Sequence, residues 1–148
     1  MDLNHFDMAN PFALIRKEDD VPIFVATMVG NFRKDTPLSK PENAKCRDAL
    51  LQALVFFLYK ETQRSEHNFA NLVKLLAGAK IEENSTEYVP PLDIIFEDLA
   101  IKEPDHIAVK QYSLFKETEP MTAAVVLAEL QTEMDALGWP ALRVLRKK

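Results

Sequence analysis

The stretch Ala49-Leu-Leu-Gln-Ala-Leu-Val-Phe-Phe-Leu-Tyr59 is the longest apolar run in the chain, and Gln52 is its one interruption. A helix that is apolar on nearly all sides is buried on nearly all sides. Upstream, Ser39-Lys-Pro-Glu42 has the pattern of a capping box that contains a proline. We therefore predict a helix that runs from this box to about Lys60 and forms the centre of the domain.

Five further helices are predicted around this central helix. Apolar residues recur at helical spacing in each of them, and the starts and ends are indicated by capping side chains, prolines and glycines. No segment shows sustained period-two alternation between turn signals, and only Leu3 to Met8 could extend as an edge strand. The predicted fold is therefore all-α, a compact bundle of about six helices joined by short proline-marked loops. The expected boundaries are Asp20 for the first helix, Asn68 and a left-handed Gly78 for the third, Pro90-Pro91 for the fourth, Pro104 for the fifth, and Thr118-Pro120 and Gly138 for the sixth.

Composition excludes several classes of function. The chain has 148 residues, which fits one domain, and only three glycines. A P-loop or a dinucleotide fingerprint needs glycines close together, whereas Gly30, Gly78 and Gly138 are far apart. We therefore predict no nucleotide site and no cofactor. No apolar run approaches the ~20 residues that span a bilayer, so no membrane contact is expected.

Signals for catalysis or metal binding are weak. The three histidines, His5, His67 and His106, lie in separate segments and are each expected at the surface or boundary of the domain. No His-Glu-x-x-His, cysteine–histidine or Gly-x-Ser-x-Gly pattern occurs. Cys46 lies in an apolar helical pattern, which predicts a buried, unreactive thiol. The chain is therefore predicted not to be an enzyme, with no catalytic residue, cofactor-binding residue or metal ligand.

Acidic residues are concentrated between residues 82 and 105, where eight acids accompany one base, Lys102. Asp93 and Glu97 are four residues apart and share a helix face, where like charges are unfavourable unless a base lies opposite. Such a run is typical either of a solvated outer face or of a surface that attracts a basic protein. The candidate protein-binding residues are Glu82, Glu83, Glu87, Asp93, Glu97, Asp98, Glu103 and Asp105.

Contact with DNA is the alternative hypothesis. The last six residues, 143–148, hold four of the 18 basic residues, and Arg33-Lys34 and Lys45-Cys-Arg47 offer further cations. The whole chain nevertheless has a net charge of −5, and the body without this tail is more acidic still. An acidic surface repels phosphate backbones, so a helical DNA-contacting module is the second hypothesis.

Four stretches together resemble one protein family, and they occur in the family's order. They are Asn10-Pro-Phe-Ala-Leu-Ile15, Asn68-Phe-Ala-Asn-Leu-Val73, Pro91-Leu-Asp-Ile-Ile-Phe-Glu-Asp-Leu99 and Asp105-His-Ile-Ala-Val-Lys-Gln-Tyr-Ser-Leu-Phe-Lys116. This pattern is similar to the all-α domain of TraG/TraD-like type IV secretion coupling proteins of Gram-positive bacteria. The resemblance covers residues 3 to 118; beyond it, Glu119-Pro-Met-Thr-Ala-Ala replaces the family's usual Gly-Lys-Thr-Ala stretch.

The resemblance implies that residues 1–148 form a single all-α domain excised from a larger coupling-protein ATPase, with residues 1–10 and 139–148 as boundary segments. It implies substrate recognition on the cytoplasmic face of a membrane-anchored, hexameric parent. The implied partner is a relaxase or another secreted protein of conjugative transfer, with DNA reached only indirectly. The family's ATP-binding motifs have no counterpart in this chain, so no such residue is assigned. The excised domain itself is expected to be a monomer.

Overall fold

The computed structural model describes residue 12 and the ranges 15–32, 36–79 and 90–137. Within these ranges the secondary structure is helical, and no strand is present. The described helices confirm the predicted all-α bundle. The six α-helices are α1 Asp20–Gly30, α2 Pro41–Glu61, α3 Phe69–Ala77, α4 Pro91–Lys102, α5 Ile107–Lys116 and α6 Pro120–Leu137, and 3₁₀ turns lie at Pro37–Ser39 and Arg64–Glu66.

The predicted central helix is confirmed. α2 packs against α1, α3, α5 and α6. Leu50, Leu51, Leu54 and Val55 have no solvent exposure. Because successive residues of a helix point about 100° apart, these four side chains cover about 140° of the helix surface. Ala53 and Phe56 lie on the other side of the helix and are buried as well. The apolar run therefore places α2 at the core of the bundle.

Two predicted helix starts are stabilised differently from the way that the sequence indicates. Asp20 is the first residue of α1, and its carboxylate accepts a hydrogen bond from the backbone N–H of Arg16 (3.0 Å) in the preceding turn. α2 begins at Pro41, after Lys40, which makes no side-chain cap hydrogen bond, and Ser39 belongs to the preceding 3₁₀ turn. The predicted capping box is therefore wrong. Proline at the first helical position has no N–H, which removes one of the groups that a cap would satisfy.

Asn68 and Gly78 flank α3. Asn68 caps the helix as predicted, since its side chain accepts the N–H of Asn71 at 2.9 Å. Gly78 has φ −73° and ψ −5°, so the prediction of a left-handed glycine is wrong. Its carbonyl accepts the N–H of Leu92 at 2.9 Å, which links the end of α3 to the start of α4. A Cβ at Gly78 would meet α4 only at ordinary van der Waals distances, 3.7 Å from the nitrogen of Leu92.

Aromatic rings attach α4 and α5 to the core. The ring of Phe57 in α2 lies 5.6 Å from that of Phe96 in α4. Phe96 stacks on Tyr112 of α5 with a centroid distance of 4.3 Å and an interplanar angle of 10°, and Tyr112 lies 5.7 Å from Phe115. Aromatic contacts of this kind add to the energy of apolar burial. They orient α4 so that one of its sides is covered by the core.

The last two helices differ from the prediction only at the start of α5. Pro104 and Asp105 form a turn, and α5 begins at Ile107 rather than at Pro104. α6 begins at Pro120, as predicted, and its expected end at Gly138 lies just outside the described residues. In the described part of the chain, every helix is too short or too polar to cross a membrane.

Candidate functional site

One side of α4 is buried against the domain, and the opposite side is exposed. The buried side consists of Leu92, Phe96 and Leu99. Positions three, four and seven apart share a face of an α-helix, so the residues opposite this buried side follow the same spacing. These exposed residues, which we name the outer face of α4, are Ile94, Glu97, Asp98 and Ile101.

Two exposed isoleucines lie on the outer face of α4, and exposed Met121 and Val125 form a similar pair on α6 with no acid between them in the sequence. Ile94 is 55% exposed, and Ile101 is 81% exposed. The two residues are two helical turns apart, about 10.5 Å along the axis, and Glu97 and Asp98 lie between them in the sequence. Single exposed apolar residues are ordinary on protein surfaces. Two that are aligned with acids on one helix face form an amphipathic surface of the kind that binds other proteins.

Asp93 lies beside the outer face of α4 and is engaged within the chain. Its carboxylate accepts a hydrogen bond from the hydroxyl of Tyr112, and it pairs with the ammonium of Lys116 at 3.0 Å. A base opposite Asp93 and Glu97 would offset the repulsion between these two acids. Lys116 of α5, in the same chain, is that base. Asp93 joins α4 to α5, while Glu97 is exposed.

The environment of Tyr112 raises the pKa of its hydroxyl. Burial is the largest cause, because it disfavours the phenolate. The hydrogen bond to Asp93 and the negative charges of Asp93 and Glu97 act in the same direction. The hydroxyl therefore remains protonated and serves as a hydrogen-bond donor rather than as a base.

A cavity of about 320 Å³ lies between α4 and α5, next to the outer face of α4. We name it the α4–α5 cavity. Glu97 belongs both to this cavity and to the outer face. Three carboxylates and one ammonium line it, so its formal charge is negative. Its apolar lining consists of Phe96, Ala100, Val109 and Tyr112, and its polar lining of Asp93, Glu97, Ser113, Lys116 and Glu117.

The structure brings only some of the predicted acidic residues together. Asp93 and Glu97 meet at the cavity, and Asp98 lies beside them on the outer face of α4. Glu103 and Asp105 are exposed in the turn that leads to α5, and an oxygen of Glu103 lies 3.7 Å from Nε2 of His106. Three other predicted acids lie outside the described residues, namely Glu82, Glu83 and Glu87.

His106 is buried, so the prediction of a surface or boundary histidine is wrong for this residue. Its side chain is 1% exposed, and Nδ1 accepts the N–H of Ala108 at 3.0 Å, which caps α5. Nε2 lies 2.9 Å from a carboxylate oxygen of Glu61 at the end of α2, 45 residues away in the sequence. His67 is half-buried, as expected, and His5 lies outside the described residues.

Glu61, Glu103 and His106 bring three candidate metal ligands within 4.8 Å of one another. A metal bound here would need the lone pair of Nε2 of the histidine. The N–H of Ala108 can only donate, so Nδ1 supplies a lone pair to it and the ring proton lies on Nε2. Nε2 then donates to Glu61. These hydrogen bonds favour a structural cap over a metal site.

Cys46 is a buried free thiol, as predicted. Burial raises its pKa, and a side-chain hydrogen bond with Thr118 offsets this only in part. A nucleophilic cysteine acts as the thiolate. The position of Cys46 therefore disfavours covalent catalysis.

The residues predicted to contact DNA are described only in part. Arg47 is engaged inside the domain, since its guanidinium donates to the carbonyl of Leu38 at 2.9 Å and pairs with Asp48 at 2.8 Å. Lys45 is exposed. Arg33-Lys34 and residues 143–148 lie outside the described residues. Of the predicted Lys45–Arg47 pair, only Lys45 has its charge directed to solvent.

No family model matches the chain, and comparisons with curated proteins and with solved structures give no match either. The resemblance to coupling proteins therefore stays a prediction based on four stretches of sequence. Three of these stretches lie in helices: 68–73 forms the start of α3, 91–99 most of α4, and 105–116 all of α5 with the two residues before it. The stretch 10–15 is described only at Phe12 and Ile15, and the boundary segments 1–10 and 139–148 lie outside the described residues.

The network of Asp93, Tyr112 and Lys116 was not anticipated from the sequence. Tyr112 and Lys116 are four residues apart, which indicates that a phenol and an ammonium share one face of α5. That local signal does not show which helix lies opposite. The pairing of α5 with α4 therefore had to come from the tertiary structure.

Proposed function

We propose that this chain is a non-catalytic protein-binding domain that docks a basic segment of another protein on the outer face of α4. The observation that carries this proposal is the alignment of exposed Ile94 and Ile101 with exposed Glu97 and Asp98. Apolar contacts with the isoleucines would supply most of the affinity. The carboxylates would select basic partners and raise the rate of association.

The support behind this face favours its use as a preformed surface. Phe96 is buried and stacked on Tyr112, and Asp93 is held by both Tyr112 and Lys116. A helix fixed on its inner side in this way needs little rearrangement to bind. Preorganisation lowers the entropic cost of association.

The charge of the outer face favours a protein over DNA. Its two ionisable residues are both acids, and Lys102, the only base of α4, lies to the side of the face. Phosphate backbones are attracted by clustered lysines and arginines. A basic protein segment therefore fits this surface better than a nucleic acid does.

The biological partner that we propose is a relaxase or another protein carried by a type IV secretion system. This part of the proposal rests on the four resembling stretches, and it places the domain on the cytoplasmic side of a membrane-anchored, hexameric ATPase. We expect the surrounding coding sequence to encode a Walker A motif upstream of these residues. A surrounding reading frame without ATPase motifs would contradict the proposed role in type IV secretion. It would not affect the proposal that the outer face of α4 binds a basic segment.

The docking surface is tested by fluorescence anisotropy at ~0.15 M salt. The probes are a labelled amphipathic peptide of leucine and arginine, the same peptide with glutamate in place of arginine, and a labelled DNA duplex. We expect the basic peptide to bind and the other two probes to bind feebly. The double variant Ile101→Ser, Asp98→Lys should lose about tenfold or more in affinity for the basic peptide, because it removes apolar burial and reverses a charge.

Asp19→Lys is the matched control, because Asp19 is exposed just before α1 and makes no side-chain cap hydrogen bond. Asp19 does not line the α4–α5 cavity, and α1 packs against α2. This variant should bind the basic peptide within about twofold of the wild type. Equal affinity of the wild type and the double variant, or tighter binding of the duplex than of the peptide, would show that the proposal is wrong.

A further inference from the structure

We infer that the α4–α5 cavity receives one arginine side chain of the bound partner. The inference rests on the proposed function, because the arginine belongs to the basic segment docked on the outer face of α4. Glu97 is shared by the outer face and the cavity. A segment lying along the face can therefore extend a side chain past Glu97 directly into the cavity.

The lining of the cavity matches the two parts of an arginine side chain. Phe96 and Tyr112 are buried and stacked, so their rings form the inner wall together with Ala100 and Val109. Glu97, in contrast, is exposed at the opening. The methylene stem of an arginine packs on apolar surface, while its guanidinium is attracted by the carboxylates of the cavity.

Two of the three carboxylates of the cavity are available to a cation from outside. Asp93 is engaged by Tyr112 and Lys116. Glu97 and Glu117 form no ion pair with any other residue that the structure describes. A cationic side chain entering the cavity would gain charge-assisted hydrogen bonds with these two carboxylates.

The volume of the cavity is sufficient for one long side chain. It measures about 320 Å³, which lies within the range of pockets that hold small ligands. Arginine suits this site better than lysine, because the planar guanidinium has five donors and is less strongly hydrated than an ammonium. It offers donors to the two carboxylates of the cavity that form no described ion pair, Glu97 on α4 and Glu117 at the end of α5.

The experiment compares the leucine–arginine peptide with a leucine–lysine peptide of equal length and charge, again by anisotropy. Glu117→Gln removes one cavity carboxylate without changing the outer face of α4, and Ala100→Leu fills part of the cavity with a good helix former. We expect the wild type to bind the arginine peptide about tenfold more tightly than the lysine peptide. Each cavity variant should bring the two affinities to within about twofold, whereas Asp19→Asn, at an exposed acid that does not line the cavity, should keep the preference.

The outcomes separate this inference from the proposed function. Persistence of the arginine preference in Glu117→Gln shows that the cavity is not the recognition site, and this variant remains decisive even where Ala100→Leu fails to fold. A different result is that the wild type binds both peptides equally and that Asp98→Lys weakens both. That result contradicts arginine recognition by the cavity and supports docking on the outer face of α4. Failure of both peptides to bind the wild type overturns the proposed function and the inference with it.

Discussion

α2 and α4 use apolar side chains in opposite ways. Leu50 and Leu54 of α2 are fully buried, whereas Ile94 and Ile101 of α4 are more than half exposed. Both helices begin with a proline at the first helical position, so their local starts are alike. The difference lies in their neighbours, since helices surround α2 while the core covers one side of α4. Burial of α2 therefore stabilises the fold, whereas the outer face of α4 is exposed to solvent.

The sharpest test of this contrast is an apolar truncation in each helix. Leu54→Ala should destabilise the domain by about 3 kcal/mol, because it removes buried methyl groups and leaves a cavity. Ile101→Ala should change the free energy of unfolding by less than about 0.5 kcal/mol, because its side chain contacts mainly solvent. Urea unfolding followed by circular dichroism measures both values. Similar losses for the two variants would mean that Ile101 is part of the core.

A second test concerns the link between α2 and the α4–α5 pair. His106→Ala removes the cap of α5 and the hydrogen bond to Glu61, and should cost about 2 kcal/mol. His106→Asn preserves a capping acceptor and should recover about half of that loss. The stabilities of both variants are measured by urea unfolding and compared with that of the wild type. An asparagine variant no more stable than the alanine variant would show that capping is not the role of His106.

A third test, with a smaller expected loss than at His106, concerns Tyr112 of α5. Tyr112→Phe should cost about 1 kcal/mol near neutral pH, because it removes the hydrogen bond to Asp93. The folded pKa of Tyr112 is raised above the ordinary value of 10.0. Its contribution to stability is therefore complete below that pH and is lost as the pH rises towards the folded pKa.

The change in the free energy of unfolding with alkaline pH tests the environment of Tyr112. Between about pH 9 and pH 11 the wild type should lose roughly 1 kcal/mol more stability than Tyr112→Phe. In this range the phenol of Tyr112 ionises in the unfolded wild type but stays protonated in the folded one, and the variant has no phenol. Cys46, whose pKa is also raised by burial, acts in both proteins and cancels in the comparison. Equal slopes in the two proteins would contradict the assigned environment of Tyr112.

Local features of the fold were predictable where neighbouring residues alone decide them. The apolar run around Leu54 predicted a buried central helix, and Asn68 predicted the cap of α3, because both depend on residues within a few positions. The left-handed Gly78 was predicted wrongly. Its backbone continues the helical conformation, and its carbonyl accepts the N–H of Leu92 from α4, a contact that no local pattern of sequence contains.

The sequence by itself determined the helices and the concentration of acids in and around α4, because periodicity, capping and charge are local properties of the chain. Only the tertiary structure decided which of these acids are available. Lys116 from α5 pairs with Asp93 and leaves Glu97 exposed. The structure also exposed Ile94 and Ile101 and buried His106 against Glu61. These outcomes depend on side chains that are distant in the sequence and meet only when the helices pack.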